Sequence, residues 1–170
     1  MNTRSRLPAL ALIAGAVLLH SPAVPAQSQE DIERVLARVE RADIDQLGSY
    51  ARELSELGEG TAPRLRTTVG EASPKARIAI CQALILLEET SEARNWLLDL
   101  VKDDYRKYPA EVLRAAIRLL GSPEFQDDPE VVVSLRQRME EVLDPHLQLA
   151  FASALYEVSA KDRVEATRTK

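Results

Sequence analysis

The stretch PAEVLRAAIRLLG, residues 109–121, reads as one α-helix with both ends marked. Proline is tolerated in a first helical turn, where its missing N–H has no partner to lose. Glycine after the last apolar residue is a common helix stop. Nothing between them looks catalytic. The same layout recurs in PKARIAICQALIL from Pro74 and in PHLQLAFASALY from Pro145, spaced by 35 and 36 residues. Four positions after each proline stands Ile78, Leu113 or Leu149; seven after, Cys81, Ala116 or Ala152; eleven after, Ile85, Leu120 or Tyr156. Residues three and four apart share a helix face, so these positions predict one apolar stripe per copy. The small residue at the seventh position predicts a close approach by another helix.

Ser73 and Asp144 precede two of the prolines and can accept from the first unpaired N–H groups of the helix. Tyr108 cannot, so the middle copy starts less well. A second helix follows each first one. Residues 91–103 bring Ala93, Trp96, Leu97 and Leu100 to one face, and residues 129–143 do the same with Val132, Leu135, Met139 and Val142. A weaker earlier copy has its first helix over 44–57 and a turn in ELGEGTAPRL, residues 56–65. QEDIERVLARV, residues 29–39, adds a helix in front. Scarce aromatics with abundant Ala and Leu favour helices over a sheet. A helix pair repeated about every 35 residues predicts a solenoid whose units bury one another's apolar faces.

VLRAAIRLLG, residues 112–121, resembles the first helix of HEAT repeats, and ELGEGTAPRL resembles their inter-helix turn. The resemblance spans about residues 43–160. It departs in a period shorter than the roughly 40–47 residues of long HEAT units. The arginine usual after the first valine is present as Arg77 but replaced by Leu113 and Gln148. An armadillo-like or other αα-repeat assignment therefore stays open. The resemblance implies an all-α protein, a right-handed αα-superhelix of about three to four helix pairs. It also implies a scaffold or adaptor that binds proteins, an inference from fold class alone. The expected divisions are a leader over 1–26, a capping helix over 27–42, and a HEAT-like domain over 43–170. Its units fall near 43–72, 73–107, 108–143 and 144–170.

The leader is read from its own chemistry. Arg4 and Arg6 precede an apolar run over 7–19, and Val24 and Ala26 occupy the small positions of a cleavage site. The run is short for a bilayer span, which takes roughly 20 residues, and the pattern is that of a secretory signal peptide. The expected location is periplasmic or extracellular, with no stable membrane anchor after cleavage. Removal of 1–26 leaves 20 basic against 27 acidic residues, a net charge of −7. That balance argues against nucleic acid, which needs a basic patch.

After cleavage one histidine, His146, and one cysteine, Cys81, remain. Zinc needs three or four such ligands at set spacings, so neither a metal nor any other cofactor is expected. No phosphate-binding or nucleophile motif is present, and the chain is expected not to be an enzyme. Paired acids, Asp43 with Asp45, Glu88 with Glu89, Asp103 with Asp104 and Asp127 with Asp128, fall at helix ends, where acids cap and are solvated. A hydrolase using such a pair in the solenoid groove is the alternative. Cys81 is expected to be a buried small residue; pairing with another chain, in a self-associating module, is the competing reading. Trp96 is expected in the core. Tyr105 and Tyr108 either close a joint between units or anchor a partner.

In a HEAT-like stack the second helices line the concave side. Their faces away from the apolar stripe carry Arg64 and Arg66, then Asn95, Asp99 and Lys102, then Gln137 and Glu141, with Leu98 and Val133 among them. This set is the predicted partner surface. The last ten residues, KDRVEATRTK, are expected to form the second helix of the final pair, either as a polar cap or as the start of a helix that continues in a longer natural chain.

Overall fold

A computed structural model describes residues 26–58 and 60–159. Among these residues the chain is all-helical, with no strand. Eight α-helices follow one another: α1 Ala26–Val39, α2 Leu47–Ser55, α3 Thr61–Thr68, α4 Pro74–Leu86, α5 Thr90–Lys102, α6 Ala110–Leu120, α7 Pro129–Glu141 and α8 Pro145–Val158. Short 3-10 turns cover Ile44–Gln46, Tyr105–Lys107 and Pro123–Phe125. The predicted leader lies outside the described residues apart from Ala26, and KDRVEATRTK lies wholly outside them.

The helix starts follow the capping chemistry. Ser73 Oγ accepts from the Ala76 N–H at 3.1 Å. Asp128 accepts from Glu130 N–H at 2.9 Å and Val131 N–H at 3.2 Å. Asp144 accepts from His146 N–H at 2.8 Å and Leu147 N–H at 3.2 Å. In each case proline fills the first turn. At α6 the missing cap shows: Pro109 becomes the flanking residue, no side chain caps it, and the helix begins at Ala110.

The helix ends are closed by neighbours. Arg77 of α4 donates to the carbonyls of Val69 at 3.1 Å, Gly70 at 3.2 Å and Ala72 at 3.4 Å, just past α3. Gln148 of α8 donates to Val142 O at 2.7 Å, past α7. Arg138 of α7 donates to Val101 O at 2.9 Å and to Asp103 O, at the end of α5. Lys75 of α4 reaches Glu40 O at 3.3 Å and Ala42 O, past α1. The last carbonyls of a helix have no partner within it, so each such donor ties one element to the next. Gln148 thus does for α7 what Arg77 does for α3.

One core runs through all eight helices. α4 sits deepest, with Ala76, Ile78, Ala79, Ile80, Cys81, Ala83 and Leu84 all buried. It packs on α2 and α5, with further contacts to α6, α1 and α3. α5 is enclosed by α4, α6 and α7, so Leu98 and Val101 are buried along with the expected Ala93, Leu97 and Leu100. That corrects the placing of Leu98 on an outer surface. α7 is turned relative to expectation: Val131, Ser134 and Leu135 are buried, whereas Val132 and Met139 are only partly so.

The largest correction falls on α8. Its buried residues are Leu147, Phe151, Ala154 and Val158. Leu149 and Tyr156, assigned to the apolar stripe, are 70% and 54% exposed, and Ala152 is exposed too. α8 packs on α6 and α7 along the other side of its apolar surface. The close approach occurs at Gly121 instead: a Cβ there would stand 2.9 Å from Ala154 Cα and 3.0 Å from its Cβ. The backbone φ of Gly121, −81°, is open to any residue; the small size of glycine is what α8 requires. Beside it, Asp127 donates its N–H to Val158 O at 3.1 Å and meets one of the unpaired carbonyls ending α8.

Candidate functional site

The residues predicted as a partner surface lie on three helices. Arg64 and Arg66 are on α3, Asn95, Asp99 and Lys102 on α5, Gln137 and Glu141 on α7. Packing of α5 on α7 brings Lys102 to the start of α7, where its Nζ is 3.0 Å from Glu130. Arg66 is 3.4 Å from Glu89. Asn95 Oδ1 accepts from Arg94 at 3.3 and 3.2 Å. Gln137 donates to Glu141 at 3.0 Å, and Arg138 also reaches Glu141. Asp99 is exposed on α5. Much of this surface is thus engaged in ties within and between helices.

The same face holds a bridge between α5 and α7. Arg94 donates to Asp128 at 2.9 Å, with Glu130 at 3.9 Å. Burial alone would raise the Asp128 pKa, but the Arg94 hydrogen bond, two backbone N–H donors and the Arg94 charge outweigh it and hold it low. Asp103 is held low as well, first by Lys107 Nζ at 2.7 Å, then by Tyr108 Oη at 2.7 Å and the Asp104 N–H at 2.7 Å. Tyr108 is pushed up by that bond to Asp103. Tyr105 and Tyr108 are both partly buried against the core, and Arg106 stands 5.5 Å from the Tyr105 ring. Here the two tyrosines close the α5–α6 joint. Glu141 is lowered by Gln137 and then Arg138. A general acid needs a raised carboxyl; each of these three is shifted the other way.

The remaining paired acids stand at turns and helix ends, with Glu89 paired to Arg66. Asp43 donates its N–H to Gln46 Oε1 at 3.2 Å. Asp104 accepts from the Arg106 N–H at 3.1 Å. Glu88 and Asp127 hold φ of +64° and +61°. Glu88 follows α4 with its N–H on Ile85 O at 3.0 Å, and the Glu89 N–H is on Leu84 O at 2.9 Å. That is a Schellman closure with glutamate where glycine is favoured. Among the described residues no cluster of His, Cys, Asp and Glu is arranged to hold a metal ion. Cys81 is free and fully buried, and burial pushes its thiol up to about 12. Trp96 packs against the core with Arg77 5.3 Å over its ring.

Concave surface is found beside the first helices. One furrow, of 390 Å³, lies between the 44–48 segment and α6, with Ile78 and Gln82 of α4 in its lining. A second, of 450 Å³, lies between α6 and α8 and includes His146, Leu149 and Ala150. Both are lined by Arg114 and Arg118, exposed residues one turn apart on α6. The chain offers neither of them an ion pair or side-chain hydrogen bond among the described residues. Sequence reasoning passed over this pair because it assigned the partner surface to the second helices. The available signal was the i, i+4 arginine spacing inside PAEVLRAAIRLLG.

Set against known proteins, the chain matches no family model, no curated protein and no solved structure. Among the described residues no helix is long and apolar enough to cross a membrane.

Proposed function

We propose that this chain is an exported, non-enzymatic protein-binding scaffold, its helix pairs forming a right-handed HEAT-like superhelix behind a cleaved leader. The observation that carries the reading is the pair of open furrows sharing Arg114 and Arg118. A furrow of mixed polar and apolar lining, flanked by charges without internal partners, can hold a protein segment in register. Packing of α4 on α5, α5 on α6 and α7 on α8, together with α4 on α6, α5 on α7 and α6 on α8 two helices apart, supports the repeat reading. The acidic balance of the chain after leader removal supports solubility over polyanion binding.

The test is capture on the processed protein from the exported fraction of its own cells, with crosslinking and mass spectrometry. A protein captured specifically and competed by excess free protein is the expected result. A blank with a folded, monomeric bait would overturn the scaffold reading.

A second reading, self-association, draws on a specific surface. Leu143 and Leu149 are 77% and 70% exposed at the α7–α8 end, and Leu149 and Ala152 line a shallow hollow with Met139. Exposed apolar patches of this sort mark interfaces. Sedimentation across a hundredfold dilution separates the readings: a mass that falls on dilution supports self-association, and a constant monomer mass rejects it.

A further inference from the structure

The furrows beside α6 specify more about the partner than its being a protein. We infer that they take an extended acidic segment, two of whose carboxylates, at positions i and i+2, pair with Arg114 and Arg118. This inference rests on the protein-binding reading above.

The two arginines are four residues apart on one helix, so they are offset by about 6 Å along its axis. Same-side residues of an extended chain repeat every two positions, about 6.6–6.8 Å. An acidic–x–acidic segment lying along α6 therefore matches the pair, and each guanidinium can grip a carboxylate with two parallel N–H donors. The residue between the acids points to the opposite side of the extended segment, away from α6, so the pairing leaves its identity open.

The charges around the pair restrict the occupant further. Glu111 stands one turn before Arg114, and Asp45 lines the same furrow. Glu157 lines the α8 side, as does the exposed His146. Acids therefore flank the arginines on both sides. A long polyanion laid across them meets repulsion beyond Arg114 and Arg118, whereas a segment with only two or three clustered acids does not. The acidic whole chain opposes nucleic acid in the same sense. The contrast with the α5–α7 face is direct: Arg94 there already holds Asp128 at 2.9 Å, whereas Arg114 and Arg118 have nothing to release before binding.

The experiment uses fluorescence anisotropy with a labelled peptide, Leu-Asp-Leu-Glu-Leu-Asp-Leu, and its Asn/Gln counterpart. The protein is expressed in its own cells and purified as processed. Saturable binding of the acidic peptide is expected, weakened at least tenfold by Arg114→Glu with Arg118→Glu. A smaller loss is expected for the double alanine variant, which serves if charge reversal disturbs folding. Arg41→Glu with Arg52→Glu, exposed positions outside the furrows, should leave binding unchanged. Absence of saturable binding, equal binding of the neutral peptide, an equal loss in the Arg41/Arg52 variant, or equal competition by a single-stranded RNA would each overturn the inference. If the Arg114/Arg118 variant still captures the same partner, the scaffold reading stands and the acidic-segment inference fails. If wild-type protein captures none, the scaffold reading itself fails.

Discussion

α4 and α8 begin alike, each with a capping side chain, a proline in the first turn and apolar residues four and seven positions on. Their surroundings differ. α4 lies among α1, α2, α3, α5 and α6 and is buried on nearly every side, with Ile78 at 2% and Cys81 at 0% exposure. α8 meets α6, α7 and the 3-10 turn before α7, and it leaves Leu149 at 70% exposure. Equivalent positions thus have opposite energetic weight. A helix whose apolar residues spread beyond one stripe can bury different faces, and the number of neighbours decides which.

The comparison breaks most sharply at paired truncations. Ile78→Ala should cost about 2–5 kcal/mol, since it removes buried methyl groups and leaves a cavity. Leu149→Ala should stay within about 0.5 kcal/mol, as for most surface changes. Urea unfolding midpoints measure both. Similar costs at the two sites would mean that α8 buries Leu149 against something in solution.

The next effect probes what α8 does have. Gly121→Ala places a Cβ against the Ala154 backbone, which cannot rotate aside as a long side chain can. The expected cost is about 1–3 kcal/mol, typical of overpacking. A neutral result would show that α8 shifts freely on α6.

A smaller effect concerns the α5–α7 bridge. Asp128→Ala removes a helix cap and the partner of Arg94, with an expected cost of about 1–2 kcal/mol at pH 7. The sign with pH is fixed: the folded-state pKa of Asp128 lies below its unfolded value. Its charge-dependent contribution is therefore present above about pH 3.9 and lost as pH falls through the folded value. Unfolding curves of Asp128→Asn and wild type should converge on acidification from pH 7 to about 2.5. A gap that stays constant would mean that the carboxylate charge contributes nothing.

The smallest effect has the opposite sign. Glu88 holds a left-handed conformation that glycine adopts without strain. Glu88→Gly should raise stability by up to about 1 kcal/mol, the left-handed penalty of glutamate set against the chain entropy of glycine. A drop in the melting temperature would show that the Glu88 side chain has a role beyond the turn.

The helices themselves were legible in the sequence. The prolines with Ser73 and Asp144 set the starts of α4 and α8, and the absence of a cap at Tyr108 anticipated the later start of α6. The burial of Cys81 and the partial burial of Trp96 also followed from their places on apolar faces. The face buried by α8 did not follow: Leu147, Leu149, Phe151 and Ala152 are all compatible with packing, and only the position of α6 selects among them. Leu98 was misplaced because helical periodicity assumes one buried side, whereas α5 is enclosed by three helices. Arg114 and Arg118 drew no notice because a one-dimensional pattern treats any outward charge as solvated.

The sequence by itself determined the helical character, the capped starts and the acidic balance, because these depend on neighbours along the chain and on composition. Tertiary structure alone decided which apolar residues are covered, why Gly121 must be small, and that two unpaired arginines border concave surface. Those properties depend on the distance between elements far apart in the chain, which local propensity does not encode.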